Sequence, residues 1–83
     1  MHQDLKSRLN DLGISMDYGV DPTLGPMIRI SAFTRPLLDY TIEIIRRYTE
    51  SEPAEINSIG TEGSHSAVYR AGPGSRLFGA LFL

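Results

Sequence analysis

The residues best placed to do chemistry fall into three groups. The run Gly60-Thr61-Glu62-Gly63-Ser64-His65-Ser66 combines two glycines with hydroxyls and an imidazole. Glycines let backbone N–H groups approach an anion, and Ser64, His65 and Ser66 could donate to it, so the chemistry on offer is phosphate cradling. The run lacks the Gly-Lys-Ser/Thr of a P-loop and the spacing of a dinucleotide fingerprint, and a solvated hairpin turn accounts for it better. Ser64, His65 and Ser66 also invite a nucleophilic reading. Adjacent residues on a strand point to opposite sides, however, and only Glu62 is near enough in sequence to orient His65. Asp39 and Glu43 form the second group, two carboxylates at i, i+4. Such a pair could serve acid–base work or a hard cation, but Arg46 and Arg47 lie beside it and a solvated charged face is the simpler account. The third group is Arg29, Arg70 and Arg76, with Tyr69 and Phe78 next to the last two. Arginine beside an aromatic ring serves base stacking with phosphate pairing, and equally serves protein–protein hot spots. No catalytic residue, metal ligand or cofactor motif is expected, and the partner-binding candidates are Arg29, His65, Tyr69, Arg70, Arg76 and Phe78.

These side chains must be positioned by a short series of elements. His2 to Leu12 reads as an amphipathic helix with Leu5, Leu9 and Leu12 on one face, stopped by Gly13, where positive φ is cheap. Ile14 to Val20 alternates as a half-buried strand. Asp21 to Pro26 is turn chemistry, and Met27 to Phe33 returns as a second strand with Ile28, Ile30 and Ala32 on one side. Thr34 is a helix cap and Pro36 suits the first turn. The helix that follows runs to about Glu50, with Leu37, Leu38, Thr41, Ile42, Ile45 and Tyr48 as its apolar stripe. Ala54 to Ile59 is a strand anchored by Ile56 and Ile59. Ser66 to Ala71 suits a strand, because Val68 and Tyr69 favour one, although its apolar spacing also fits a short helix. Gly72-Pro73-Gly74-Ser75 is a turn, and Arg76 to Leu83 reads as a last strand, apolar on both faces and so interior to a sheet. The expected fold is α+β in two layers: a mainly antiparallel sheet of four or five strands, with one long helix and a short N-terminal helix on one face.

Size and composition narrow the function classes. The chain has 83 residues, enough for one domain (1–83), and a net charge of −2 from 8 Lys and Arg against 10 Asp and Glu. Proteins that live on phosphate backbones usually carry a positive excess, so this balance disfavours nucleic acid. With no cysteine and two histidines, thiolate sites are excluded and a structural zinc is not expected. The polar start is unlike a signal peptide, and the apolar end is far below the roughly 20 residues a membrane span needs. A soluble cytoplasmic protein with no membrane partner is the expectation.

Several short segments also resemble a known family. Ile28-Arg29-Ile30-Ser31-Ala32, Pro53-Ala54-Glu55-Ile56, Ser58-Ile59-Gly60 and Ser66-Ala67-Val68 are similar to pieces of the bacterial stage V sporulation protein S family, which looks like a branch of the Alba-type nucleic-acid-binding proteins. The resemblance covers about half the chain. It implies a dimeric binder with Gly60, His65, Arg70 and Arg76 near the nucleic-acid-facing loop and helix. That family has a full helix after its Ile-Gly segment, which would fall over Ser66 to Ala71. A strand there points instead to a meander whose sheet binds a protein.

The reading that best fits the residues is a non-catalytic module that docks on another protein and occludes it, of the kind of small inhibitor encoded by phages or mobile elements. The alternative is an Alba-like nucleic-acid binder. Self-association into a homodimer is expected to run through the C-terminal strand.

Overall fold

The computed structural model describes residues 4–58, 65–72 and 74–82. Among them, three helices and four strands follow in the order α1 (Leu5–Asp11), β1 (Ser15–Asp21), β2 (Gly25–Ala32), α2 (Arg35–Thr49), β3 (Glu55–Ser58), β4 (His65–Tyr69) and α3 (Arg76–Phe82). The strands form one sheet in the order β1-β2-β4-β3, antiparallel throughout, and the α+β expectation holds.

Local chemistry explains the element ends. Asp4 caps α1 by accepting from the Ser7 N–H at 2.8 Å. At its other end Gly13 takes φ +78°, the Gly13 N–H donates to the Asn10 carbonyl, and the Ile14 N–H donates to the Leu9 carbonyl, both at 3.0 Å. This paired closure satisfies carbonyls the helix would leave bare and sets buried Ile14 against buried Leu9. The β1–β2 hairpin is tighter than the turn Asp21 to Pro26 suggested. Asp21 Oδ1 accepts from the N–H groups of Thr23 and Leu24, each at 2.8 Å, and Gly25 takes φ +90°, so pairing continues to Asp21↔Gly25. Thr34 caps α2 through the Leu37 N–H, and Glu50 ends it in the left-handed conformation.

One apolar cluster joins all three helices to a single side of the sheet. Ile28, Ile30, Ala32, Ala67 and Tyr69 line that inner face, beneath Leu38, Ile42 and Ile45 of α2, Leu5 and Leu9 of α1, and Leu77 and Leu81 of α3. The buried arc of α2 is wider than the expected stripe. Ile44 is buried as well, in a groove shared with Arg8, because α2 packs on α1 as well as on the sheet. Leu37 and Tyr48 are only half-buried. Buried Thr41 and Thr49 satisfy their hydroxyls on the carbonyls of Leu37 and Ile45.

Three expectations need correction or restriction. Arg76–Phe82 is a helix, not a strand, so the sheet has four strands among the described residues, and a dimer through a C-terminal strand has no strand to use. A continuous apolar run carries no period of its own. Here Ser75 settles the matter by capping, its Oγ accepting from the Phe78 N–H at 2.9 Å, with Leu77 and Leu81 one turn apart on the core. Ile56 is not an anchor: it is 43% exposed, because β3 is an edge strand and the helix contacts fall on β2 and β4. Its companion Ile59 lies outside the described residues, as does the run 60–64.

Candidate binding surface

With every described helix on one side, no described helix covers the other, bare face of the sheet. Strand register fixes what it presents. One row across it reads Asp17, Arg29, Val68, Glu55, and the next reads Ser15, Ser31, Ser66, Asn57. Gly19 and Met27 form the row beyond. Ser15, Asp17, Arg29 and Glu55 are exposed, and Ser31, Ser66 and Asn57 are half-buried. Small side chains keep the centre flat, and Val68 lies in it at 8% exposure. Arg29 makes no ion pair with any described residue, although Asp17 sits opposite it on β1. Immediately past β2, Phe33 is 75% exposed, the most open of the large apolar side chains described. It flanks a dimple of about 100 Å³ with Gly13, Ser15, Ser31 and Ala32. A guanidinium with no ion pair among the described residues and an open phenyl ring thus stand four residues apart, one on β2 and one just past its end.

The residues singled out from sequence do not converge. Arg29 is on the bare face. Arg70 is exposed just beyond β4, where its charge reaches Asp21. His65 and Tyr69 point the other way, into the core, at 5% and 1% exposure. His65 Nδ1 sits 2.7 Å from the Ser58 Oγ across the β3–β4 pair, a contact visible only once the register is known. Ser66 lies on the opposite face from His65, and Ser64 and Glu62 fall outside the described residues. Tyr69 Oη is buried without a hydrogen-bond partner among the described residues, and that burial raises its pKa. Arg76 and Phe78 stand on a helix, not on a strand. Arg76 donates to the Glu50 carboxylate at 3.3 Å and to the Tyr48 carbonyl at 3.5 Å. Phe78 packs edge-on against Tyr18, ring centres 5.2 Å apart.

The carboxylates of α2 are engaged by arginines. Asp39 pairs with Arg35 at 2.9 Å, and Glu43 with Arg46 and, at 3.2 Å, with Arg47. Arg46 also grips both oxygens of Glu52, which holds the Glu52 carboxyl below its ordinary range and raises the guanidinium. Among the described residues no group of three His, Asp or Glu is placed to hold a metal, and no helix is long and apolar enough to cross a membrane.

No protein family, curated protein or solved structure matches the chain.

Phe33 is the surface residue that the sequence reading passed over. Its position on the Met27, Arg29, Ser31 side follows from alternation. Its openness depends on which face the helices leave uncovered.

Proposed function

We propose that this protein is a non-catalytic binding module, working in the cytoplasm, that docks on another protein through the bare face of its sheet. The supporting observation is that Arg29, with no ion pair among the described residues, and Phe33, 75% exposed, lie four residues apart on that side. Arginine and aromatic side chains dominate protein interface energetics. Docking would occlude whatever surface of the partner the sheet covers, which is how a small inhibitor of the phage-encoded kind acts.

The nucleic-acid alternative draws less support. The bare face carries Asp17 and Glu55 against one arginine, and Tyr69, which such a reader would need for stacking, is in the core. Of the segments that carry the Alba-type resemblance, Ile28 to Ala32 lies on β2, Glu55 and Ile56 on β3, and Ser66 to Val68 on β4, a strand where that family has a helix.

The test is co-isolation from the native cell with three baits: the wild-type chain, Arg29→Glu and Phe33→Ala. A partner held by the bare face is retained by the first and lost by the others, since truncating a hot spot costs about 2 kcal/mol or more. Equal capture by all three sinks the reading. Binding to duplex DNA or RNA that weakens steeply with salt would favour the alternative instead.

A further inference from the structure

Among the described residues the sheet has two unpaired edges, and they are unequal. β3 offers four residues. β1 offers seven, Ser15–Asp21, with neither proline nor lysine among them to blunt pairing. Beside β1 runs a groove of about 490 Å³, floored by Ile14, Met16, Leu81 and Phe82 and flanked by Lys6 and Asp17. On the same strand, two residues beyond Tyr18, Val20 projects at 68% exposure from the helix side of the sheet. The edge therefore carries an apolar projection at one end and an apolar recess at the other, with Tyr18 midway. Tyr18 itself is anchored edge-on to Phe78 and Phe82, at 5.2 and 5.5 Å.

We propose that two copies of this chain pair through β1, antiparallel and centred on Tyr18, joining their sheets into one with all helices on the same side. In that register Val20 of each copy lies opposite Met16 of the other and enters its groove beside Leu81 and Phe82. Met16 and Val20 are equidistant from Tyr18, so a two-fold operation satisfies both ends at once, as a self-complementary interface requires. Charges agree with it. Asp17 falls opposite Gly19 and Asp21 opposite Ser15, so no carboxylate directly faces another across the pair. The dimer uses a different surface from the bare-face docking proposed above, and neither depends on the other.

The chain lacks cysteine, which makes single-cysteine cross-linking of the purified protein direct. Tyr18→Cys places the two thiols on directly opposite residues, roughly 5 Å apart at Cβ, within reach of a disulfide. Val20→Cys places them about 13 Å apart along the strands, out of reach. The expected result is rapid disulfide dimer formation by Tyr18→Cys under mild oxidation, little by Val20→Cys, and a wild-type dimer by sedimentation that Val20→Lys weakens at least tenfold. Should Tyr18→Cys fail to fold, Asp17→Cys, at an exposed position, and Gly19→Cys, at a half-buried one, are expected when mixed to cross-link with each other more readily than either does with itself. A wild-type chain that stays monomeric, or cross-linking at Val20→Cys as fast as at Tyr18→Cys, overturns the proposal. All of this is read without any partner protein, so it can fail while docking by the bare face stands, and the reverse.

Discussion

The two faces of the sheet are built from the same strands and meet opposite fates. On β2, Ile28, Ile30 and Ala32 are buried under the helices, while Arg29 between them is exposed, with no ion pair among the described residues. On β4, Ala67 and Tyr69 face the core, and Ser66 looks outward. Because strand side chains alternate, stability and recognition can be assigned to adjacent residues with little interference. The inner face shows what a chain this small needs to fold. The outer face, with small polar residues around one guanidinium and one phenyl ring, shows surface that folding did not consume.

The sharpest way to break this comparison is to cut one side chain from each face. Ile30→Ala is expected to cost about 2–5 kcal/mol, from lost transfer energy and the cavity left behind. Its neighbour Arg29→Ala is expected to change stability by less than about 0.5 kcal/mol. Denaturant unfolding measures both, and similar losses would show that the outer face is structural after all. Tyr69→Phe refines the account of the inner face. Its buried hydroxyl has no partner among the described residues, so removing it is expected to stabilise the protein by about 1 kcal/mol. A loss of that size would mean the hydroxyl is satisfied in solution.

The smallest expected effect concerns Asp21, which tunes the hairpin from the outer side. Hydrogen bonds from the Leu24 and then the Thr23 backbone N–H groups hold its carboxyl below the ordinary aspartate range, with Arg70 adding to this. A carboxyl with a lowered folded-state pKa contributes stability that is fully present above its unfolded value of about 3.9. That contribution is lost as pH falls through the lower folded value. Asp21→Asn keeps the accepting oxygen and removes the titration, so stability plotted against pH is expected to fall less steeply on the acid side. An unchanged acid limb would show that the carboxylate form brings nothing the amide does not.

How far the sequence could be read follows from whether each feature is local. Thr34, Gly13 and the β2 alternation act within a few residues, and all were legible. The C-terminal run was not, because Leu77-Phe78-Gly79-Ala80-Leu81-Phe82 is apolar at both the strand and the helix period, and a single serine cap decides between them. Ile56 failed as an anchor because its burial depends on strand order, which places β3 at the edge. The His65–Ser58 contact needed the register of β3 against β4, which a hairpin-turn signal alone does not set. Of the six residues chosen as binding candidates, only Arg29 stands on the outward side of a described strand. Arginine beside an aromatic residue in sequence said nothing about which side of the sheet either would occupy.

The central claim is that the bare sheet face, and not the charged face of α2, holds the partner. Quantitative co-isolation from the native cell with two double variants tests it most directly. One is Arg29→Glu with Phe33→Ala; the other is Glu43→Lys with Arg47→Glu, which preserves a pair of opposite charges one helical turn apart. Capture should be abolished by the first and match wild type with the second. Capture that survives the first and fails with the second would place the interface on α2 and contradict the account.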